Sequence, residues 1–135
     1  MSTYNEDVKL IKQSVSSMLK QTYKNTELII VCDNTNNIKC LKYLKVIKEK
    51  HNNVKLLINE KNIGLAASLN KAINVSSGDY IARMDADDIS QPERLEKQLL
   101  YLIKHNLDLV GTWIENIDEN GFVLEHITKY PYNEE

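Results

Sequence analysis

The sequence is poor in residues that cross-link or punctuate a chain. Its 135 positions hold two cysteines, two prolines and four glycines. Cys32 and Cys40 stand alone, too few for a disulfide framework, and predict reduced thiols in a cytosolic setting. Cys32 closes an apolar run and reads as a buried, inert thiol. No G-x-G-x-x-G fingerprint occurs, which sets aside a dinucleotide-binding oxidoreductase. Basic charge is not in excess: 17 Lys and Arg face 19 Asp and Glu, a formal net charge of -2. With no basic stripe and no interleaved aromatics, the chain is not expected to bind nucleic acid by phosphate neutralisation. No apolar run approaches the length of a bilayer span, and the first residues carry no signal-peptide pattern. A cytoplasmic protein is expected, with peripheral attachment to the inner face of the membrane as a second setting. His51, His105 and His126 are scattered without metal-ligand spacing and read as surface residues.

What remains is enough for one ordinary globular domain over 1–135, with a single core. Hydrophobic periodicity alternates between helix and strand. Val8, Ile11, Val15, Met18 and Leu19 predict a helix over 6–21. Residues 27–32 form a continuous apolar run, the pattern of a strand buried on both faces. Ile38, Leu41, Leu44 and Ile47 predict a second helix with a lysine-rich outer face, and 54–58 a second strand. Leu65, Leu69, Ala72 and Ile73 predict a third helix, and 80–84 a third strand. A fourth helix is expected after Ser90, which can cap it with Glu93 completing the capping box and Pro92 in the first turn. A strand over 108–115, a hairpin turn at Asp118-Glu119-Asn120-Gly121 and a strand over 122–127 follow.

This alternation calls for a mainly parallel sheet flanked by helices. Ligands of such sheets bind at the carboxyl ends of the strands, so the loops after the strands carry the chemistry. The opening Met1-Ser2-Thr3-Tyr4-Asn5 reads as a loop that follows a strand, with the strand itself absent. The expectation is an exposed sheet position near Tyr4, open to pairing with another chain and hence to a homo-oligomer.

Three loops stand out. Asp85, Asp87 and Asp88 crowd four residues after an apolar run. Their repulsion raises their pKa values unless a cation is present. Mg²⁺ and Mn²⁺ take oxygen ligands, typically one or two carboxylates plus substrate phosphates. The other reading is a helix-approach loop with Asp near an N-terminus. Asp33 and the polar turn after it offer a carboxylate to a base N–H, or an Asx-turn or helix cap. Asn62-Ile63-Gly64-Leu65-Ala66 joins a turn glycine to small residues at a helix start, suited to close approach of a phosphate or to tight packing on the sheet. Tyr4 and Asn5 supply a stacking face and an amide, or simply a surface tyrosine.

Taken in order, Ser2-Thr3-Tyr4-Asn5-Glu6, Gln21-Thr22-Tyr23, Glu27-Leu28-Ile29-Ile30-Val31-Cys32-Asp33-Asn34-Thr35, Asn62-Ile63-Gly64-Leu65-Ala66, Gly78-Asp79-Tyr80-Ile81, Asp85-Ala86-Asp87-Asp88 and Pro92-Glu93-Arg94-Leu95 resemble the family 2 glycosyltransferases, inverting enzymes of the GT-A fold. The resemblance spans nearly the whole chain. It implies a nucleotide-sugar donor, usually UDP-linked, a divalent Mn²⁺ or Mg²⁺, a glycan or other hydroxyl acceptor, and a place in polysaccharide biosynthesis. Tyr4 would lie against the base and Asp33 would hydrogen-bond it. Ser2 would be a minor nucleotide contact, and Asn62, Gly64 and Asn70 would shape the donor pocket. Asp85 would contact the ribose or sugar side and share the metal with Asp87, with Asp88 behind them. The chain departs from the family at Cys32-Asp33, where two acids are common, and at the absent first strand. The family's catalytic base comes from the acceptor-binding half. Glu125, Glu134 and Glu135 are weak substitutes, so no base is assigned, and the expectation is the donor-binding part of a transferase, truncated at both ends. A non-enzymatic nucleotide-sugar-binding module is the competing reading. A phospho-acceptor receiver domain is disfavoured, since the loop Asn59-Glu60-Lys61-Asn62 lacks the acceptor Asp.

Overall fold

The computed structural model describes residues 1–118 and 121–128, with side chains described up to residue 124. Glu119 and Asn120 of the expected turn, the carboxylates of Glu125, Glu134 and Glu135, and the imidazole of His126 lie outside what is described. Two compact units emerge, Met1–Glu96 and Lys97–Glu135.

The first unit is a three-stranded parallel sheet with helices between its strands. Its elements are β1 (Ser2–Thr3), α1 (Val8–Leu19), β2 (Leu28–Cys32), α2 (Ile38–Lys50), β3 (Val54–Ile58) and α3 (Leu65–Asn74), and the strand order is β1-β2-β3. The register sets Thr3 beside Cys32 and Cys32 beside Ile58, so all three strands end on one line. Local sequence explains the helix starts. Asp7 caps α1 by accepting from the Lys9 N–H at 2.6 Å, and Asn37 caps α2 by accepting from the Cys40 N–H at 3.2 Å. β2 is nearly continuously buried. Around it gather Ile11 and Val15 of α1, Cys40 and Leu44 of α2, Val54 of β3, and Met84 and Ala86 from the acidic loop. Both cysteines are free and Cys32 is buried, as the sequence suggests; Cys40 is buried as well.

Several expectations need correction. Residues 80–84 form no strand, and Tyr80 and Ile81 stay exposed; only Met84 reaches the core. A strand needs a partner, and β1, the edge strand of the sheet, is two residues long. That stub also shows that the first strand is not wholly absent. Its outer edge carries no strand among the described residues. Ser90 does not cap the fourth helix: that helix starts only at Arg94, and the Ser90 hydroxyl accepts from Gln21 Nε2 and Arg94 Nε instead.

The helix α4 (Arg94–His105) begins in the first unit and continues into the second. It ends with Asn106 at φ 50°, where the Leu107 N–H bonds the Leu102 carbonyl at 3.0 Å and closes the last turn. The second unit adds an antiparallel pair, β4 (Ile114–Ile117) with β5 (Val123–Thr128). Residues 108–113, expected to be extended, lie outside any strand, and the strand begins only at Ile114. Among the described residues no helix is long and apolar enough to cross a membrane.

Candidate functional site

A cavity of about 280 Å³ opens at the carboxyl ends of the parallel strands. It is lined by Ser2, Tyr4, Glu6, Asp33, Asn62, Gly64 and Leu65. Five residues singled out from sequence, Ser2, Tyr4, Asp33, Asn62 and Gly64, therefore converge from three separate segments. They meet because β1 and β2 end together and the β3–α3 loop folds back over them.

Asp33 organises that loop. It is 2% exposed, immediately after β2. One carboxylate oxygen accepts from Asn59 Nδ2 at 2.7 Å and from the Ile63 N–H at 3.0 Å; the other accepts from the Gly64 N–H at 2.9 Å. Burial pushes its pKa up, but the bonds from Asn59, Ile63 and Gly64 outweigh it, and the carboxyl sits below its ordinary range. Asn59 is buried as well. Its amide also donates to Ser68 Oγ at 3.0 Å, and its carbonyl oxygen accepts from Lys71 Nζ at 2.7 Å. Asn62 Oδ1 accepts from the Gly64 N–H at 2.9 Å, tightening the turn. Gly64 itself holds φ 83° and ψ 163°, a conformation essentially reserved for glycine. No side chain caps α3, whose first residue, Leu65, borders the cavity.

Tyr4 is 45% exposed, so its ring is free to take a planar group. Its N–H donates to Glu6 at 2.6 Å. Glu6, Leu65 and Asn59 were not marked as site residues by sequence. Asn59 had a readable signal, as the first polar residue after β3. Asn70 is exposed and does not line the cavity.

The acidic loop is a second locus of the same unit. Asp85 and Asp87 do not line the cavity. The loop is fastened to α1, where Ser14 Oγ donates to the Asp85 carbonyl at 2.9 Å, and to the core through Met84 and Ala86. The Asp85 carboxylate faces the Arg83 guanidinium at 2.8 and 3.0 Å, while Asp87 and Asp88 are exposed. Partial desolvation, then the charges of Asp87 and Asp85, push the Asp88 carboxyl up. Among the described residues no three His, Cys, Asp or Glu form a protein-only metal cage. The donor set is instead all-oxygen and mutually repulsive, and a cation already sits on Asp85 in the form of Arg83. Carboxylate oxygens are the ligand type a hard divalent ion takes, and Arg83 would have to yield Asp85 to it.

Comparisons with known proteins agree with this arrangement. The sequence profile described as glycosyl transferase family 2 matches residues 1–135. An uncharacterised glycosyltransferase of Methanocaldococcus jannaschii is 44% identical over 99% of this chain and 47% of its own length. The Escherichia coli UDP-Glc:alpha-D-GlcNAc-diphosphoundecaprenol beta-1,3-glucosyltransferase WfgD is 36% identical over 98% of this chain and 52% of its own. Among solved structures, the mannosyltransferase PcManGT from Pyrobaculum calidifontis, in complex with GDP-Man and Mn²⁺, superimposes with a TM-score of 0.67 at 23% identity, covering 75% of this chain and 30% of that one. The chain thus spans about half the length of the curated relatives it matches. A strand-end cavity, an acidic loop and a family profile over the full length lead to one conclusion: the chain belongs to glycosyl transferase family 2.

Proposed function

We propose that this chain binds the nucleoside diphosphate of a nucleotide-sugar donor, and that the complete enzyme transfers the sugar to an acceptor hydroxyl with inversion. The observation that carries the proposal is the convergence of Ser2, Tyr4, Asp33, Asn62 and Gly64 on one cavity at the strand ends. Tyr4 offers its face to the base. Asp33 has one oxygen with a single N–H partner and so retains capacity for a base N–H. The uncapped start of α3 beside Gly64 favours phosphate oxygens. Asp87, with Asp85, would hold Mn²⁺ or Mg²⁺. Such an ion neutralises charge building on the leaving diphosphate. The protein's own part is to bind and orient the donor. The acceptor hydroxyl would give its proton to a carboxylate, a role assigned to no described residue of this chain.

Uracil is the preferred base, in keeping with the UDP-Glc in the name of the E. coli relative; the GDP-Man in the archaeal neighbour makes guanine the competitor. A cytoplasmic setting at the inner membrane face is proposed with it. α1 carries two lysines and no acid, and α2 five lysines against one glutamate, in a chain of net charge -2. Calorimetric titration with UDP, GDP and CDP, each with Mn²⁺, tests the reading. Tightest binding of UDP supports it. Preference for GDP overturns the uracil assignment and keeps the site. No binding by any of them overturns the site.

A further inference from the structure

Asp85, Asp87 and Asp88 crowd one loop, where Arg83 pairs with Asp85. A second restraint comes from outside the loop. Arg94, in the first turn of α4, donates through Nη1 to the Arg83 carbonyl at 3.3 Å and through Nε to Ser90 Oγ at 2.8 Å. One side chain therefore grips both flanks of the loop. Its Nη2 lies 3.6 and 3.8 Å from the sulfurs of Met18 and Met84, which fixes the plane of the guanidinium. Ser90 is pinned in turn. Its hydroxyl accepts from Gln21 Nε2 at 3.1 Å, and its N–H donates to Ser17 Oγ at 3.0 Å. Gln21 is 2% exposed and completes the clamp by accepting the Leu95 N–H at 3.1 Å and donating to the Gln91 carbonyl at 2.8 Å.

We propose that Arg94 is the positioning residue of the acidic loop, setting the separation of its two flanks so that the carboxylates stay gathered for a metal–diphosphate ligand. The inference rests on the donor-site reading above. Arg94 need not touch the ligand; it acts through Arg83 and Ser90. The role calls for a planar fork with N–H groups diverging from one rigid plate. A lysine has the charge but a single nitrogen, and cannot reach a carbonyl and a hydroxyl on opposite flanks in this way. Arg94→Lys therefore separates geometry from charge. Ser90→Ala removes the downstream anchor and keeps the guanidinium.

The test pairs two readouts on the 135-residue chain. The first is UDP affinity by calorimetry with and without Mn²⁺. Wild type should gain affinity with Mn²⁺. Arg94→Lys and Ser90→Ala should each lose about 10- to 100-fold of that gain, the usual cost of disturbing residues that orient metal ligands, while metal-free UDP affinity stays within about twofold. The second is amide hydrogen exchange without metal or nucleotide. Residues 84–90 should exchange faster in both variants while β2 stays protected. If Arg94→Lys fails to fold, Ser90→Ala carries both readouts. Unchanged exchange over 84–90, or equal loss of metal-free and metal-dependent binding, overturns the role of Arg94. A wild type that binds UDP indifferently to Mn²⁺ overturns the donor-site reading instead, so the two failures are distinct.

Discussion

Replacing Asp33 by Asn changes one oxygen to an NH₂ and removes one charge, leaving the shape intact. In the wild type three N–H groups converge on this buried carboxylate at 2.7, 3.0 and 2.9 Å. The remaining oxygen of an asparagine keeps the Asn59 and Ile63 bonds, now without charge assistance. The new NH₂ faces the Gly64 N–H, donor against donor. Bonds to a charged acceptor contribute about 1.5–3 kcal/mol and neutral ones about 1, so demoting two and losing one costs several kcal/mol gross. Relief from burying a charge, and the Asn62 oxygen that still serves Gly64, return part of it. A net loss of about 2–3 kcal/mol remains, which for a chain of this size lowers Tm by about 8–12 °C. The pH dependence has a definite sign. Because the folded pKa of Asp33 lies below its ordinary value, its contribution is complete above the unfolded pKa and fades as pH falls through the folded one. The wild-type advantage over Asp33→Asn should therefore shrink below about pH 4. Thermal unfolding monitored by circular dichroism between pH 7 and pH 2.5 reads both effects. A variant melting within about 2 °C of wild type at pH 7 would refute the reasoning that Asp33 holds the loop.

Other outcomes follow from single features. Gly64→Ala should cost about 1–3 kcal/mol in a urea titration, all of it from the backbone at φ 83°, since no atom lies within 4 Å of an added Cβ. Gly78→Ala, where a Cβ meets only the Tyr80 carbonyl at 3.5 Å, should be close to neutral. Glu27 has its pKa lowered to about 2, chiefly by Lys55 at 2.6 Å and then by the Ser77 N–H. Its stabilisation should be present above about pH 4.5 and fall away towards pH 2, so urea midpoints of wild type and Glu27→Gln converge in acid. The lysines of α1 and α2 predict that the chain sediments with anionic vesicles but not with neutral ones, and that salt reverses it.

Much of the fold was legible because helices announce themselves locally. The stripes Ile11 and Val15 and, in the second helix, Leu44 sit within a turn or two of what they specify, although Ile38 of that second stripe stays exposed. β3 emerged at its expected boundaries for the same reason. Residues 80–84 misled because an apolar run is only a local preference, and a strand forms only where a neighbour remote in sequence pairs with it. Ser90 misled differently. Its capping pattern is a local preference, overruled by Gln21 and Arg94, one of them 69 residues away. At the site, the strand-end rule pointed to Asp33, Asn62 and Gly64, and the family resemblance added Ser2 and Tyr4. It did not reveal that Asp33 is already committed to three donors through a loop thirty residues on, nor that Ser14 ties down the acidic loop.

The central claim is that Asp87 holds a divalent ion on the diphosphate of a nucleotide bound at Tyr4 and Asp33. Calorimetric titration of UDP into wild type and Asp87→Ala, each with and without Mn²⁺, tests it most directly. The account predicts that Mn²⁺ tightens binding to wild type and has no effect on Asp87→Ala, while the metal-free affinities of the two proteins agree. Binding that is absent, or equally indifferent to metal in both proteins, would contradict it.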